Sequence, residues 1–173
     1  MSAHGDRQGP LPSPAAASVR ARDPERSPQE AQALAERVGS AMFAKDPASR
    51  GLGMRIESIA PGRAELSMTV RADMLNGHGI CHGGFIFLLA DSTFAFACNS
   101  HNRNTVAQGC SIDYIAPARE GDVLRATGTE RSRSGRTGVY DIEVRDPQGR
   151  MIALFRGKSY RIDGHVVEES PAA

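Results

Sequence analysis

One carboxylate stands inside a long apolar run, and its position calls for an explanation. Residues 75–100 read LNGHGICHGGFIFLLADSTFAFACNS, and Asp91 is the only Asp, Glu, Lys or Arg among them. A carboxylate inside an apolar helix costs several kcal/mol unless it is paired or used. Asp91 is therefore either a group kept for catalysis or a buried acid that a neighbouring donor fixes for structure alone.

The residues that precede this run suit the binding of a developing negative charge. His82, Gly83 and Gly84 stand where a loop enters a helix. The first N–H groups of a helix have no internal partner, and that end carries about half a positive charge. Glycine lets a ligand approach the backbone closely. The segment is typical of an oxyanion site, and the alternative is a glycine-rich turn needed only for tight packing.

The spacing of these two features predicts a site built from two subunits. Asp91 follows Gly83 by eight residues, which is about 12 Å along a helix axis. One carbonyl group cannot be bound at Gly83 and attacked by Asp91 of the same helix. A second subunit with its helix antiparallel could bring its own Asp91 to this N-terminus. We therefore predict an active site shared across a dimer interface.

Composition restricts the class of protein. A chain of 173 residues with a net charge of +1 has the length of one domain and lacks the bulk positive charge of a nucleic-acid binder. Cys81, Cys98 and Cys110 are odd in number and form no C-x-x-C pair, which argues against a disulfide framework. No signal-peptide stretch or apolar run of about 20 residues is present. We expect a soluble cytoplasmic protein without membrane contact.

The remaining pattern predicts the elements that hold the site. Ser27, Pro28 and Glu30 are typical of a capped helix start, and Asp46-Pro47 ends that helix. Two alternating strands flank the turn Pro61-Gly62. Four further strands follow residue 100. We expect a disordered tail over 1–26, one domain over 27–163 and a frayed tail over 164–173.

The helix predicted from Gly84 to about Asn99 is apolar on nearly every side. Such a helix must be buried all round. An antiparallel sheet wrapped around one central helix would bury it, which makes the predicted fold an α+β hotdog fold.

Several separated segments resemble one family in order. They are NGHGICHGG, LAD and FAFACNS in the apolar stretch, then SIDYIAPAREGD, TGVYDIEV and ALFRGKSYRI. The chain resembles the PaaI-type thioesterases, the phenylacetate-pathway branch of the hotdog superfamily, over residues 30–163. The resemblance implies hydrolysis of an acyl-CoA thioester with an aryl or arylacetyl preference. It also implies no cofactor, and a homodimer that assembles to a homotetramer.

The resemblance assigns roles to two residues and matches a third. It implies that the Gly83 N–H polarises the thioester carbonyl and that Asp91 acts as nucleophile or general base. Asn76 matches a position near the thioester, although Asn76-Gly77 is equally a strong turn dipeptide. His82 could orient the loop or bond the carboxylate, and a structural histidine is as good an interpretation. His78 is a weaker candidate.

The CoA phosphates need positive charge. Arg131, Arg133 and Arg136 surround the turn Ser134-Gly135, and Arg156 and Lys158 follow on the last strand. We expect these residues, together with the backbone at Gly84, to contact the substrate. An ordinary charged surface is the alternative.

Other classes of site fit the sequence less well. His78, Cys81 and His82 could hold a metal ion, but the adjacent Cys81 and His82 are awkward on one ion, so we expect none. Cys81 as a thiol nucleophile lacks an orienting third group. A non-catalytic hotdog module that binds acyl-CoA stays as the alternative function, and it would not need Asp91. A hotdog dehydratase is a weaker third interpretation, since that reaction requires a catalytic histidine opposite an acid.

Overall fold

The first ordered element begins at the capping residues that the sequence indicated. The computed structural model describes residues 26–168, and helix α1 spans Pro28–Ala44. Ser27 Oγ accepts the Glu30 N–H, and the Glu30 carboxylate accepts the Ser27 N–H at 2.8 Å, a complete capping box. The predicted disordered tail lies outside the described residues except for Arg26.

A second, short helix follows at the point where α1 was predicted to end. Helix α2 spans Pro47–Gly51, and the Asp46 carboxylate accepts the Ser49 N–H at its start. Asp46-Pro47 therefore ends one helix and starts another, because Asp caps a helix and Pro suits its first position. The sequence interpretation missed α2.

The strands form one antiparallel sheet of six. The strands are β1 (Arg55–Ala60), β2 (Arg63–Thr69), β3 (Thr105–Tyr114), β4 (Val123–Ser134), β5 (Thr137–Arg145) and β6 (Met151–Arg161). Their spatial order in the sheet is β1-β2-β4-β5-β6-β3. Inward positions alternate with outward ones along β5, where Tyr140, Ile142 and Val144 are buried. The sheet thus has one apolar face, as a half-buried antiparallel sheet requires.

That apolar face wraps around the long helix α3, Gly83–Asn99. Leu89, Phe94 and Phe96 are fully buried, and the Phe94 ring lies 5.6 Å from the Tyr140 ring and 5.9 Å from the Phe155 ring. The predicted plan of a central helix inside an antiparallel sheet is therefore confirmed. No helix among residues 26–168 is long and apolar enough to cross a membrane.

The close approach of α3 to the sheet depends on a glycine in β6. A Cβ placed on Gly157 would lie 2.7 Å from the Phe94 ring. Gly157→Ala should therefore lower the free energy of unfolding by about 1–3 kcal/mol, the usual effect of overpacking a core. Urea unfolding measures this. Gly51→Ala in α2 is the control, because a Cβ there meets nothing within 4 Å. Equal effects of the two substitutions would contradict this packing.

Strand β3 is an edge of the sheet and is exposed along almost its whole length. It runs antiparallel to α3. The Tyr114 hydroxyl at one end donates to the Gly83 carbonyl at 3.0 Å, and the Asn99 side chain at the other end exchanges hydrogen bonds with the Thr105 backbone. The start of α3 therefore lies beside the end of β3.

The chain after β6 returns to the end of α3. Val167 and Asn102 exchange two hydrogen bonds, and the Arg37 guanidinium donates to the Glu168 carbonyl. We predicted a frayed tail over 164–173, and Val167 and Glu168 within it make these contacts. Residues 169–173 lie outside the described part of the chain.

Candidate active site

The N-terminus of α3 presents one backbone donor without an acceptor. His82 is the N-cap, and its Nδ1 accepts the Gly84 N–H at 2.9 Å. The His82 carbonyl accepts the Phe85 N–H at 3.0 Å. Among residues 26–168 the Gly83 N–H has no acceptor. Gly83 therefore keeps a free donor at the positive end of the helix dipole, while the Gly84 donor that we expected to contact substrate is already used.

Tyr114 fixes the peptide that carries this donor, and the sequence interpretation did not single it out. Its hydroxyl donates to the Gly83 carbonyl, and a Cβ on Gly83 would lie 3.0 Å from the Tyr114 ring. Residue 83 is therefore glycine because a tyrosine ring covers it. Strand alternation could have indicated Tyr114, since it faces the same side as Cys110 and Ile112 on β3.

Asp91 lies two turns farther along α3, where it is half-buried. Within the described chain, no hydrogen bond or ion pair engages its carboxylate. Burial raises the pKa of the Asp91 carboxyl above its ordinary range, because a low-dielectric surrounding disfavours the charged form. The charge of Asp91 also contributes to a raised pKa at the Cys110 thiol, after burial. Asp91 is thus an unpaired acid level with the middle of β3.

Two other predicted site residues, Asn76 and His82, bond backbone N–H groups of the loop and of the start of α3. The Asn76 side-chain oxygen accepts the His78 N–H at 2.9 Å and the Ile80 N–H at 3.4 Å, an arrangement typical of an Asx turn. Its amide nitrogen has no acceptor within residues 26–168. His82 caps α3 rather than bonding Asp91 of its own chain. His78 is exposed.

The predicted phosphate contacts divide into two groups. Arg156 and Arg131 both bond the Asp141 carboxylate, at 2.6 Å and 2.9 Å, and these bonds, that of Arg156 first, lower its pKa. Lys158 is exposed on β6 next to the buried Ser159, so it faces the outer side of the sheet. Arg133 and Arg136 instead line a cavity at the far end of α3. The structure therefore does not bring the five cations together.

Metal and disulfide chemistry find no support in the described chain. No group of three or more His, Cys, Asp or Glu side chains there has the arrangement of a metal site. Cys81, Cys98 and Cys110 are free thiols. Burial raises the pKa of the Cys81 thiol to about 11, so this group is not a thiolate nucleophile at neutral pH.

Comparison with known proteins places the chain in a family. A model of the thioesterase superfamily matches residues 78–153. The acyl-coenzyme A thioesterase PaaI of Escherichia coli K12 is 48% identical over 130 residues, which are 75% of this chain and 93% of that protein. The chain belongs to the PaaI-type acyl-CoA thioesterases. A putative esterase of Archaeoglobus fulgidus is 38% identical over 130 residues, which are 75% of this chain and 84% of that protein.

The solved structures agree on the fold. The structure of the E. coli PaaI protein from the phenylacetic acid degradation operon superposes on this PaaI-type chain with a TM-score of 0.77 at 47% identity. The match covers 78% of this chain and 97% of the other. The resemblance, the hotdog fold and the assignment to a family of thioester hydrolases are thereby confirmed.

Proposed function

We propose that this PaaI-type protein hydrolyses an aryl- or arylacetyl-CoA, of the phenylacetyl-CoA or hydroxylated phenylacetyl-CoA class, to the free acid and CoA. The proposal depends on one observation, that the unpaired Asp91 carboxylate lies on the same helix as the unpaired Gly83 N–H. A purely acyl-CoA-binding module needs neither group. The E. coli relative that is named an acyl-coenzyme A thioesterase supports the same activity.

The chemistry follows from these two groups. The Gly83 N–H donates to the thioester oxygen, which becomes negatively charged as the carbonyl carbon is attacked. Asp91 either takes a proton from the attacking water or attacks the carbon itself, forming an anhydride that water then opens. In both routes the C–S bond breaks and its electron pair leaves with the CoA sulfur. The raised pKa makes the Asp91 carboxylate a stronger base than a free aspartate.

The two groups belong to different subunits of a dimer. Gly83 and Asp91 of one helix are about 12 Å apart. The exposed edge strand β3 offers unpaired backbone groups along ten residues, which a second copy can complete by antiparallel pairing. A two-fold axis perpendicular to this joined sheet places the two α3 helices side by side and antiparallel.

The register of that pairing follows from the element geometry. Gly83 lies beside Tyr114 and Asn99 beside Thr105. Asp91 is about 12 Å from Gly83 along the helix, which is about four strand residues, so it lies level with Cys110. For Asp91 of one copy to reach Gly83 of the other, the axis must pass midway between these levels, about 6 Å from each by the helix rise. At about 3.3 Å per strand residue, that midpoint is Ile112. Tyr114 of one copy then pairs with Cys110 of the other, and homotetramers would form from such dimers.

A substitution on the exposed edge strand β3 tests whether this dimer forms. Cys110→Lys places a charge on a side chain that is exposed in one protomer but covered in the proposed dimer. We expect the variant to run at the mass of a protomer in analytical ultracentrifugation and to lose at least about 90% of its acyl-CoA turnover, since the site needs both copies. Val123→Lys is the control, because Val123 is 39% exposed on the outer face of β4. An intact assembly in the Cys110 variant would contradict this interface.

A substrate panel tests the reaction. Phenylacetyl-CoA, hydroxylated phenylacetyl-CoA and a short aliphatic acyl-CoA are incubated with the protein, and free CoA is quantified by chromatography. Faster turnover of the two aryl substrates supports the proposal. Binding of all three without CoA release would favour an acyl-CoA-binding module instead.

A further inference from the structure

A groove runs along α3 on the side that carries Asp91 and begins one turn after it. Asp91, Ala95 and Asn99 follow one another at intervals of four residues, so they lie along one face of the helix. Ala95 and Asn99 line the groove, about 6 Å and 12 Å beyond Asp91 by the helix rise. The groove has a volume of about 520 Å³, which is usual for a small-molecule site. We call it the α3 groove, and its apolar walls are Ala41, Met42, Ala95, Val106, Ile162 and Val166.

Three parts of the chain besides α3 supply these apolar walls. Ala41 and Met42 belong to the C-terminal end of α1, Val106 to the start of β3, and Ile162 and Val166 to the segment after β6. Val106 is 48% exposed and Ile162 is 43% exposed. Large apolar side chains that stay exposed around a concave surface are typical of a site for an apolar ligand.

Polar side chains of the α3 groove are already hydrogen-bonded within the protein. The Asn99 amide donates to the Thr105 carbonyl and accepts the Thr105 N–H, both at 2.9 Å. The Thr105 hydroxyl donates to the Arg103 carbonyl at 2.8 Å. The Asp46 carboxylate accepts the N–H and the hydroxyl of Ser49. Because these groups have partners without a ligand, the groove suits an apolar group better than the amide-rich pantetheine arm of CoA.

The charges around the α3 groove do not favour phosphate either. Within residues 26–168, its basic side chains are Lys45 and His165, and Asp46 is an acid beside Lys45. The His165 Nε2 atom already contacts the Arg103 guanidinium. Phosphate sites use several convergent cations or bidentate guanidinium groups. An uncharged acyl group is therefore the better occupant.

The segment after β6 is fixed as a wall of this groove by backbone hydrogen bonds. The Ile162 N–H donates to the Asn104 carbonyl at 2.8 Å, and the Asn104 N–H donates to the Gly164 carbonyl at 3.2 Å. Gly164 has a φ of +99°, a conformation that favours glycine, and Val167 then pairs with Asn102. The match to the thioesterase model ends at residue 153. This wall is therefore built by a part of the chain that the match does not include.

The proposed dimer places the thioester at the entrance of the α3 groove. Its carbonyl oxygen lies at Gly83 of the other copy, and its carbonyl carbon lies beside Asp91. An acyl chain that continues from this carbon along α3 first contacts Ala95, one turn farther on. Alanine leaves room at this point, where a larger side chain would close the groove.

We infer that the α3 groove binds the acyl group of the thioester, and that the wall built by Ile162 and Val166 determines which acyl groups fit. The inference rests on the proposed function and adds the acyl-binding residues. The acyl group lies on the protomer that supplies Asp91, while the other copy holds the carbonyl oxygen.

Calorimetry on proteins that carry Asp91→Asn tests the inference independently of hydrolysis. Ala95→Leu fills the groove, and leucine suits a helix. It should raise the Kd for phenylacetyl-CoA by about tenfold or more, the effect of a misfitting group in an apolar pocket. The Kd for CoA, which has no acyl group, should change by less than about twofold. An equal loss for both ligands would place CoA in the groove, and an unchanged Kd for phenylacetyl-CoA would show it empty. Either result would overturn the inference.

A second variant tests the wall after β6. Val166→Asp puts a charge on this wall and should raise the Kd for phenylacetyl-CoA by about fivefold or more, with little change for CoA. Val123→Asp is the matched control, because Val123 lies on the outer face of β4. Analytical ultracentrifugation checks that each variant assembles as the parent does. Equal effects of the two aspartates would rule out a role of Val166 in the acyl site.

Selectivity in turnover separates the inference from the proposed function. With Asp91 intact, Ala95→Leu should lower the ratio of kcat/KM for phenylacetyl-CoA to that for acetyl-CoA by about tenfold or more. Hydrolysis with an unchanged ratio would overturn the inference and leave the proposed function standing. If the protein binds phenylacetyl-CoA through the groove but hydrolyses neither thioester, the proposed function fails and the inference stands.

Discussion

Asp91→Asn is expected to lower kcat for acyl-CoA hydrolysis by about 10²–10⁴-fold, the range lost with a positioned general base. Asparagine has nearly the size of aspartate but neither accepts the proton of water nor attacks a carbonyl. Steady-state rates on phenylacetyl-CoA measure the effect. Glu120→Gln is the control, because Glu120 is an exposed carboxylate in the loop before β4. Retention of full activity in the Asp91 variant would contradict the mechanism even if the protein is a thioesterase.

The same substitution should stabilise the protein. Because the pKa of Asp91 is raised above its ordinary value of 3.8 in the folded chain, the folded state binds this proton more tightly than the unfolded state. Stability therefore falls as pH rises from 3.8 through the raised pKa, and asparagine removes that penalty. We expect the Tm of the variant to exceed that of the wild type at neutral pH, with a gap that shrinks toward acid pH. A variant less stable at every pH would show that the carboxylate is structural.

Gly83→Pro should lower kcat by about 10²–10³-fold, the effect of removing one oxyanion donor. Proline deletes the N–H and adds side-chain carbons, and it suits the first position of a helix. His82, which precedes it, already has the extended conformation that a residue before proline requires (φ −64°, ψ 133°). Steady-state kinetics on the same substrate measure the loss.

Gly83→Ala separates the donor from the space that glycine leaves. Alanine keeps the N–H but places a Cβ at 3.0 Å from the Tyr114 ring. That ring belongs to a half-exposed side chain, which can move by a few tenths of an ångström. The alanine variant should therefore lose less than about tenfold in kcat. Equal losses in the proline and alanine variants would show that the contact with Tyr114 matters, not the donor.

Much of the fold could be predicted from periodicity and capping. The helix at Pro28, the six strands and the buried central helix follow from patterns of apolar residues and turn dipeptides. The short helix α2 was missed because a helix of five residues is too short to show a helical repeat of apolar residues. The contact of Val167 was missed because its partner is Asn102 across the fold, and no local pattern reports such a partner.

The residues of the site divide in the same way, into those that a local sequence pattern indicates and those that only the folded chain brings together. Asp91 and Gly83 stand out in the sequence, because a lone charge in an apolar run and a glycine pair at a helix start are local signals. Tyr114 does not stand out, because only the folded chain brings it beside Gly83. Arg131 and Arg133 were grouped together in the sequence, but regular alternation along β4 leaves Arg131 on the outer face with Asp141, whereas the irregular register at Glu130/Ser132 turns Arg133 to the other face.

Mixed dimers of Asp91→Asn and Gly83→Pro chains test the shared site most directly. The two chains are co-expressed with different tags, and the mixed species is purified in two steps. If Asp91 of one copy acts at Gly83 of the other, one of the two sites is intact, and kcat per dimer should return to about half of the wild-type value. If both groups act within one chain, each site keeps one defect. Activity no higher than that of either parent variant would then contradict the account.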